Sequence, residues 1–308
     1  MEEMKDYMVR GTAAGDMIRA FSATTKEMTE YCRKVHNTAP VVSAALGRLL
    51  TAGVMMGTMM KGDRDEITLK IDGDGPVQHL IVTADSHGTA RGYVTNPNVE
   101  LPLKGPAKLD VGTAVGNGTL SVIRDIGLGD PYVGQVTLVS GEIAEDITKY
   151  FAVSEQVPSS VALGVLVDTD LTIRQAGGFI IQLMPDCPDD VIDRLEQNLT
   201  GLPSMTQMLE DGMTPEQVLE RVLEGLDLRI LEKIPLEYRC TCSRDKVSRA
   251  LQSISAHDLK EMVDDGKDVE VGCQFCDKKY VFQPEEIREM YVRKIDGMID
   301  DFPGAHEA

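Results

Sequence analysis

The sequence predicts an α+β protein in three parts: a two-layer core of sheet and helix over residues 1–184, an acidic helical linker over 185–235, and a small C-terminal unit over 236–308. Three observations carry this expectation. From Glu66 to Gln182 the chain alternates β-branched and polar residues between Gly, Asn, Asp and Pro turns, the period-two pattern of mostly antiparallel sheet. Good helical segments interrupt that pattern, so helices should pack on the sheet. Beyond Pro185 the composition turns acidic, and four of the six cysteines then gather near the C-terminal end. At 308 residues the chain also exceeds what one hydrophobic core usually serves.

Taken in order, residues 7–22 read as two short strands around Gly11 to Gly15, followed by a helix over Thr25 to Val35. Asn37-Thr38-Ala39-Pro40 supplies a helix start with Pro near the first turn. The apolar stretch that follows approaches the length of a membrane span, but Arg48 sits in its middle and its many Ala and Gly residues suit a helix buried against protein. Its methionines, Met55, Met56, Met59 and Met60, read as gap-filling core rather than as an adaptable binding face. The strands are ITLKID, VQHLIVTA, ARGYVTN, LSVIRDI, YVGQVTLVS, VALGVLVD and LTIRQAGGFIIQLM, with one amphipathic helix over Glu142 to Gln156. Gly112 to Gly118 and Gly127 to Gly129 lack the spacing of a phosphate-binding loop and read as hairpin and bulge glycines. His36, His79 and His87 are scattered, without a partner nucleophile at a hydrolase spacing.

Residues 186–235 carry 12 acidic and 4 basic residues. Their helical segments, PDDVIDRLEQNL, SMTQMLEDG and TPEQVLERVLEGL, are short and broken by Gly and Pro. Each bears an apolar stripe (Val191, Ile192, Leu195 and Leu199; Val218, Leu219, Val222 and Leu223). Helices of this length are marginal in water and need a surface for that stripe. A peripheral helical layer and a conditionally folded linker both fit. The last part should form helices over Arg244–Ser253 and Ser255–Asp265, strands VEVGC and KYVFQ, and a helix from Pro284 to about Gly297.

Charge narrows the function. The net charge of -19 speaks against a polyanion partner, because phosphate affinity is built from Lys and Arg contacts, and it favours a soluble monomer. No apolar signal region follows Met1, since Glu2, Glu3, Lys5 and Asp6 crowd the start, so the expected location is the cytoplasm. In that reducing compartment clustered cysteines serve as ligands or redox groups rather than as permanent disulfides. Cys32 and Cys187 stand alone and read as ordinary thiols.

Cys240-Thr241-Cys242 and Cys273-Gln274-Phe275-Cys276 are separated by 30 residues. This spacing can converge four sulfurs on one tetrahedral zinc ion, leaving no place for His257. A unit of about 70 residues with so small an apolar inventory needs such a staple. Zinc binding of roughly 10 kcal/mol couples metal to fold, and it keeps the sulfurs as thiolates while masking them. Carried by one two-electron couple, the same energy lowers the effective reduction potential by about 200 mV, so only a strong oxidant such as peroxide or hypochlorite opens the site. Within each pair an oxidised sulfur can be captured by its neighbour. On the residues alone, a purely structural site and a redox switch both remain open.

The cysteine pattern, with Tyr280 and Phe282 behind the last cysteine in CQFCDKKYVF, resembles the zinc region of the 33-kilodalton redox-regulated heat-shock chaperones, bacterial holdases. GRLLTAGVMMGTMMKGD, GNGTLSVIRDIG, SGEIAEDITKYFAVSEQVPSS and RQAGGFIIQLMP are similar to segments of that family's core in the same order. Residues 185–235 share helical pattern more than residues. The resemblance implies an ATP-independent chaperone, not an enzyme, that is inactive while reduced and zinc-bound. It implies that oxidation links Cys240 with Cys242 and Cys273 with Cys276, releases zinc, unfolds the C-terminal unit and detaches the linker, so that unfolded or misfolded client proteins can bind. It also implies a monomer when reduced and a homodimer when oxidised, with no nucleic acid or membrane as partner. Two other functions compete. A zinc-ribbon module for RNA or the ribosome is disfavoured by 11 basic against 16 acidic residues over 236–308. A thiol-disulfide oxidoreductase is disfavoured because Cys273 and Cys276 open no evident helix.

Overall fold

The structure, a computed structural model, describes residues 5–105 and 108–300, with side chains described as far as residue 295. The acidic opening at Glu2 and Glu3, and the ends 1–4 and 301–308 of the expected first and last parts, lie outside the described residues. The chain divides into two compact units, Met1–Arg239 and Cys240–Ala308.

In the first unit, β1 (Tyr7–Ala13) and β2 (Ile18–Thr24) form a hairpin, followed by α1 (Lys26–His36) and α2 (Pro40–Gly57). Next come β3 (Glu66–Gly73), β4 (His79–Asp85), β5 (Thr89–Val94), the one-turn α3 (Val111–Val115), β6 (Gly118–Asp125) and β7 (Tyr132–Thr137). Helix α4 (Ala144–Tyr150) runs into a π-helical turn at Phe151–Glu155, then β8 (Ser159–Val167) and β9 (Ile173–Leu183). The acidic segment supplies α5 (Asp189–Thr200), α6 (Met205–Glu210) and α7 (Pro215–Val222), and the unit closes with β10 (Arg229–Pro235) and β11 (Glu237–Tyr238).

Two sheets result, ordered β10-β1-β2-β9-β8 and β11-β5-β4-β3-β6-β7. All their pairings are antiparallel except β11 with β5. Helix α2 explains how they share one core. It is apolar all round, 16 of its 18 residues are buried, and it packs on strands of both sheets. Its small residues permit this closeness: a Cβ on Gly47 would lie 2.5 Å from Thr29, and one on Gly53 2.6 Å from Val82. Length and hydropathy would let α2 cross a membrane, yet its burial is that of a core helix. Arg48 is accommodated because Glu142 meets it at 2.8 Å, both side chains being mostly buried. The expected sheet-and-helix layering is therefore built twice around one helix.

The other face of the first sheet carries a second core. Tyr7, Val9, Ile18, Ala20, Phe179 and Ile181 of β1, β2 and β9 are buried beneath Leu195, Met208, Val218, Leu219, Val222 and Leu223 of the acidic segment. Each such side chain contributes about 1.5–3 kcal/mol when fully buried, which is what three helices of 6 to 12 residues require. Caps assist them: Ser204 accepts from the Gln207 amide, and Thr214 and Gln217 form a reciprocal capping box.

Three local expectations change. Residues 229–235, read inside a helical stretch, form strand β10; its side chains are mostly exposed and its backbone pairs with β1 from Tyr7↔Pro235 to Thr12↔Arg229. Gly112 belongs to α3, whose first turn Asp110 caps through the Thr113 amide, rather than to a hairpin. The helix expected over Glu142–Gln156 starts only at Ala144 and loosens into the π turn.

In the second unit α8 (Arg244–Ser253) and α9 (Ala256–Asp265) precede the hairpin of β12 (Val269–Gly272) and β13 (Lys279–Phe282), and α10 (Pro284–Asp300) ends it. Ser243 and Ser255 cap α8 and α9. Among the described residues its buried core is small: Leu251, Leu259, Tyr280, Phe282, Ile287 and Met290.

Candidate metal centre

Two loops of the second unit bring the four cysteines together. Cys240 and Cys242 lie just ahead of the Ser243 cap of α8; Cys273 and Cys276 lie in the turn between β12 and β13. That turn is tightened by hydrogen bonds from the Asp277 amide to the Cys273 carbonyl, 2.9 Å, and from the Cys273 amide to the Lys278 carbonyl, 2.9 Å. Asp277 adopts φ 55°, a left-handed geometry that Asp tolerates.

All four sulfurs lie within 4.8 Å of one another. Two separations run between the loops: Cys240 to Cys273 at 3.6 Å and Cys242 to Cys276 at 3.5 Å. Tetrahedral zinc with Zn–S bonds of about 2.3 Å places its sulfurs about 3.8 Å apart. The donor set and its spacing therefore fit zinc, and the half-buried sulfurs fit a site sealed by protein on one side.

The surroundings favour one sulfur, that of Cys242, as an anion. The Tyr280 hydroxyl donates to Cys242 Sγ at 3.1 Å. Burial pushes the Cys242 thiol up, but the hydrogen bond from Tyr280 and those with the other three cysteines outweigh it and bring it down to about 7. Cys240 and Cys276 go the other way: burial pushes both thiols up, only partly offset by backbone amides, that of Cys242 on Cys240 and that of Lys278 on Cys276. Tyr280 is itself raised to about 12, chiefly because its hydroxyl proton is engaged by Cys242.

Arg244, which the sequence reading did not single out, locks the frame. Its guanidinium meets Glu286 of α10 at 2.7 and 2.8 Å, donates to the Val281 carbonyl of β13 at 2.8 Å, and lies over the Phe282 ring at 4.4 Å. Its place two residues after Cys242 was the only available signal. His257 pairs with exposed Glu261 and takes no part in the sulfur cluster. Cys32 is buried in the main core with its thiol pushed up to about 12 by burial. Cys187 is half-buried, away from the other cysteines in sequence.

Similarity to known proteins agrees along the chain. The sequence profile of the Hsp33 protein family matches residues 6–283. A protein of Agathobacter rectalis named 33 kDa chaperonin is 56% identical over 287 residues, covering 93% of this chain and 100% of the relative. One of the same name from Clostridium perfringens is 49% identical over 300 residues, covering 97% of this chain and 94% of the relative. The crystal structure of the 33 kDa chaperonin of Thermotoga maritima superposes with a TM-score of 0.87 at 37% identity, covering 95% of this chain and 100% of the other. With a profile match over both the core and the cysteine loops, the chain belongs to the Hsp33 family.

Proposed function

We propose that this chain is a redox-regulated, ATP-independent chaperone of the cytoplasm, a holdase rather than an enzyme, with Cys240, Cys242, Cys273 and Cys276 as zinc ligands and as the switch. The observation that carries this reading is the four-sulfur cluster in a unit whose buried core, among the described residues, is six side chains. When bound, zinc supplies the tie between the two cysteine loops and the charge that keeps their sulfurs as thiolates.

The chain's own residues supply the rest. Peroxide oxidises one cysteine sulfur to a sulfenic acid with loss of water; a second cysteine attacks that sulfur, forming the disulfide and releasing a second water. Two such events, Cys240 with Cys242 and Cys273 with Cys276, consume two peroxides and leave no thiolate to act as ligand. Such a core cannot hold α8, α9 and α10 once the loops part. The acidic segment 185–235, which we take as a linker between the core 1–184 and the switch unit 236–308, has short helices held mainly by their stripe, with Tyr7 donating to Glu216 and Arg174 paired with Glu210 besides. When it detaches, the β1, β2 and β9 face beneath Val218, Leu219 and Val222 becomes available to unfolded proteins, and to a second copy in an oxidised homodimer.

The test treats reduced, zinc-loaded protein with peroxide under mild heating and follows zinc release, thiol loss and aggregation of an unfolded client together. Zinc release accompanied by suppression of aggregation is expected; zinc release without suppression sinks the reading.

A further inference from the structure

The methionines at and just beyond the end of α2 differ in where they point. Met55 and Met56 are buried, but Met59 and Met60 line a cavity of about 390 Å³ between the α2 end and the β1–β2 hairpin. Phe21 and Leu231 supply further apolar wall. A smaller cavity of about 160 Å³ shares Arg19, Met59 and Met60 with it and reaches Arg124. All of these residues lie in the first unit.

The charges of this cleft run against those of the chain, whose net charge is -19. Arg10, Arg19 and Lys61 line the larger cavity. Arg10 is paired with Glu232 at 2.8 Å, and Arg124 with Glu155 at 2.8 Å. Among the described residues Arg19 and Lys61 have no ion pair; Arg19 has only the Phe21 ring, 5.5 Å from its guanidinium carbon. Burial and the neighbouring Arg10 both lower the pKa of Arg19, the sign of a cation short of counter-charge. Leaving a partly buried cation uncompensated is unfavourable, and an incoming anion relieves it.

We infer that this cleft binds a small amphiphilic carboxylate, its carboxylate on the Arg19 fork and Lys61 and its apolar body on Met59, Met60 and Phe21. Arg matches a carboxylate through two parallel hydrogen bonds, and Met surfaces adapt to a chain of no fixed shape. The volume is that of a small-molecule pocket, typically about 300–1,000 Å³. This site uses none of the four cysteines; Leu231 of its wall belongs to the segment 185–235 that the proposed function detaches, so the site is tested in the reduced protein.

The experiment titrates full-length, reduced, zinc-loaded protein with decanoate, decanol, acetate and inorganic phosphate, following methionine methyl resonances labelled with carbon-13. Saturable shifts of Met59 and Met60 with decanoate are expected, with decanol, acetate and phosphate each weaker by about tenfold or more. Arg19→Gln with Lys61→Gln should weaken decanoate by a similar factor. Leu231→Asp, on an exposed edge strand where folding is not at risk, should also abolish binding by placing an internal carboxylate at the cleft. Equal binding of decanol, equal binding of phosphate, an unchanged affinity in the double variant, or no saturable shift would each overturn the assignment.

Discussion

The Tyr280 hydroxyl lies 3.1 Å from Cys242 Sγ, which makes an aromatic core residue the hydrogen-bond donor to one sulfur of the cluster. The ring is buried among Leu251, Leu259 and Phe282, so the donor cannot turn away without disturbing the core. Packing and sulfur chemistry therefore meet in one side chain.

Tyr280→Phe removes that donor and keeps the ring. Partners of this kind are worth about 10- to 100-fold in metal affinity, so zinc should bind at least tenfold more weakly in competition with a chelator, while helix content of the zinc-loaded protein stays unchanged. An unchanged affinity would mean that the hydroxyl contributes nothing to the site.

Asp6 gives the first unit a pH dependence. Its carboxylate accepts from the Glu27 and Met28 amides at 3.1 and 2.7 Å, holding the start of α1. Burial nonetheless raises its pKa from 3.8 to about 7. The folded state thus binds the proton more tightly than the unfolded one. Stability from this group is fully present below pH 3.8 and is lost as pH rises toward 7, by on the order of 4 kcal/mol over the interval. Glu30 acts in the opposite sense in a lower window: the hydrogen bond from Arg33 holds it at about 2, so its stabilisation is present above pH 4.5 and fades as pH falls toward 2. Urea titrations between pH 4.5 and 7.5 should show a downward slope with rising pH that Asp6→Asn flattens; equal slopes in the two proteins would rule out Asp6 as the source.

Val218 is fully buried against the sheet face, so Val218→Asp places an unpaired charge in the second core. The cost is about 3 kcal/mol or more, comparable to what holds a helix of 8 residues in place. Under the proposed function this variant should suppress client aggregation while still reduced and zinc-loaded. Increased protease cleavage within residues 200–228 without any suppression would separate loosening of the helices from client binding and count against the exposed face.

What the sequence made legible was whatever local pattern encodes. Ser243 before Arg244–Ser253 and Ser255 before α9 mark their helices, the strand alternation survives in both sheets, and the cysteine spacing brings four sulfurs together. Less visible was what depends on distant partners. Strand β10 has mostly exposed side chains and exists because its backbone pairs with β1, more than 200 residues earlier, so no periodicity announces it. The placement of α2 against both sheets follows from its uniform burial, which pattern alone cannot direct to either side. The Arg244 clamp depends on Glu286, 42 residues away, and a lone Arg after a cysteine pair carries no such information.

The sulfur contacts between the loops lead to the last prediction. Sulfurs of different loops already touch, Cys240 with Cys273 at 3.6 Å and Cys242 with Cys276 at 3.5 Å. Disulfides between those partners would tie the loops as bound zinc would under the proposed function, and the second unit would keep its fold. Disulfides within the loops, Cys240 with Cys242 and Cys273 with Cys276, leave the α8 approach joined to the β12–β13 turn, among the described residues, mainly by the small buried core and the Arg244 clamp. Under the proposed function the outcome therefore depends on which sulfur captures the first sulfenic acid. Peptide mapping of peroxide-treated protein should find the within-loop pairs together with loss of helical signal from α8, α9 and α10. Between-loop pairs in a unit that stays folded would make the cluster an oxidisable staple and remove it as the trigger of client binding.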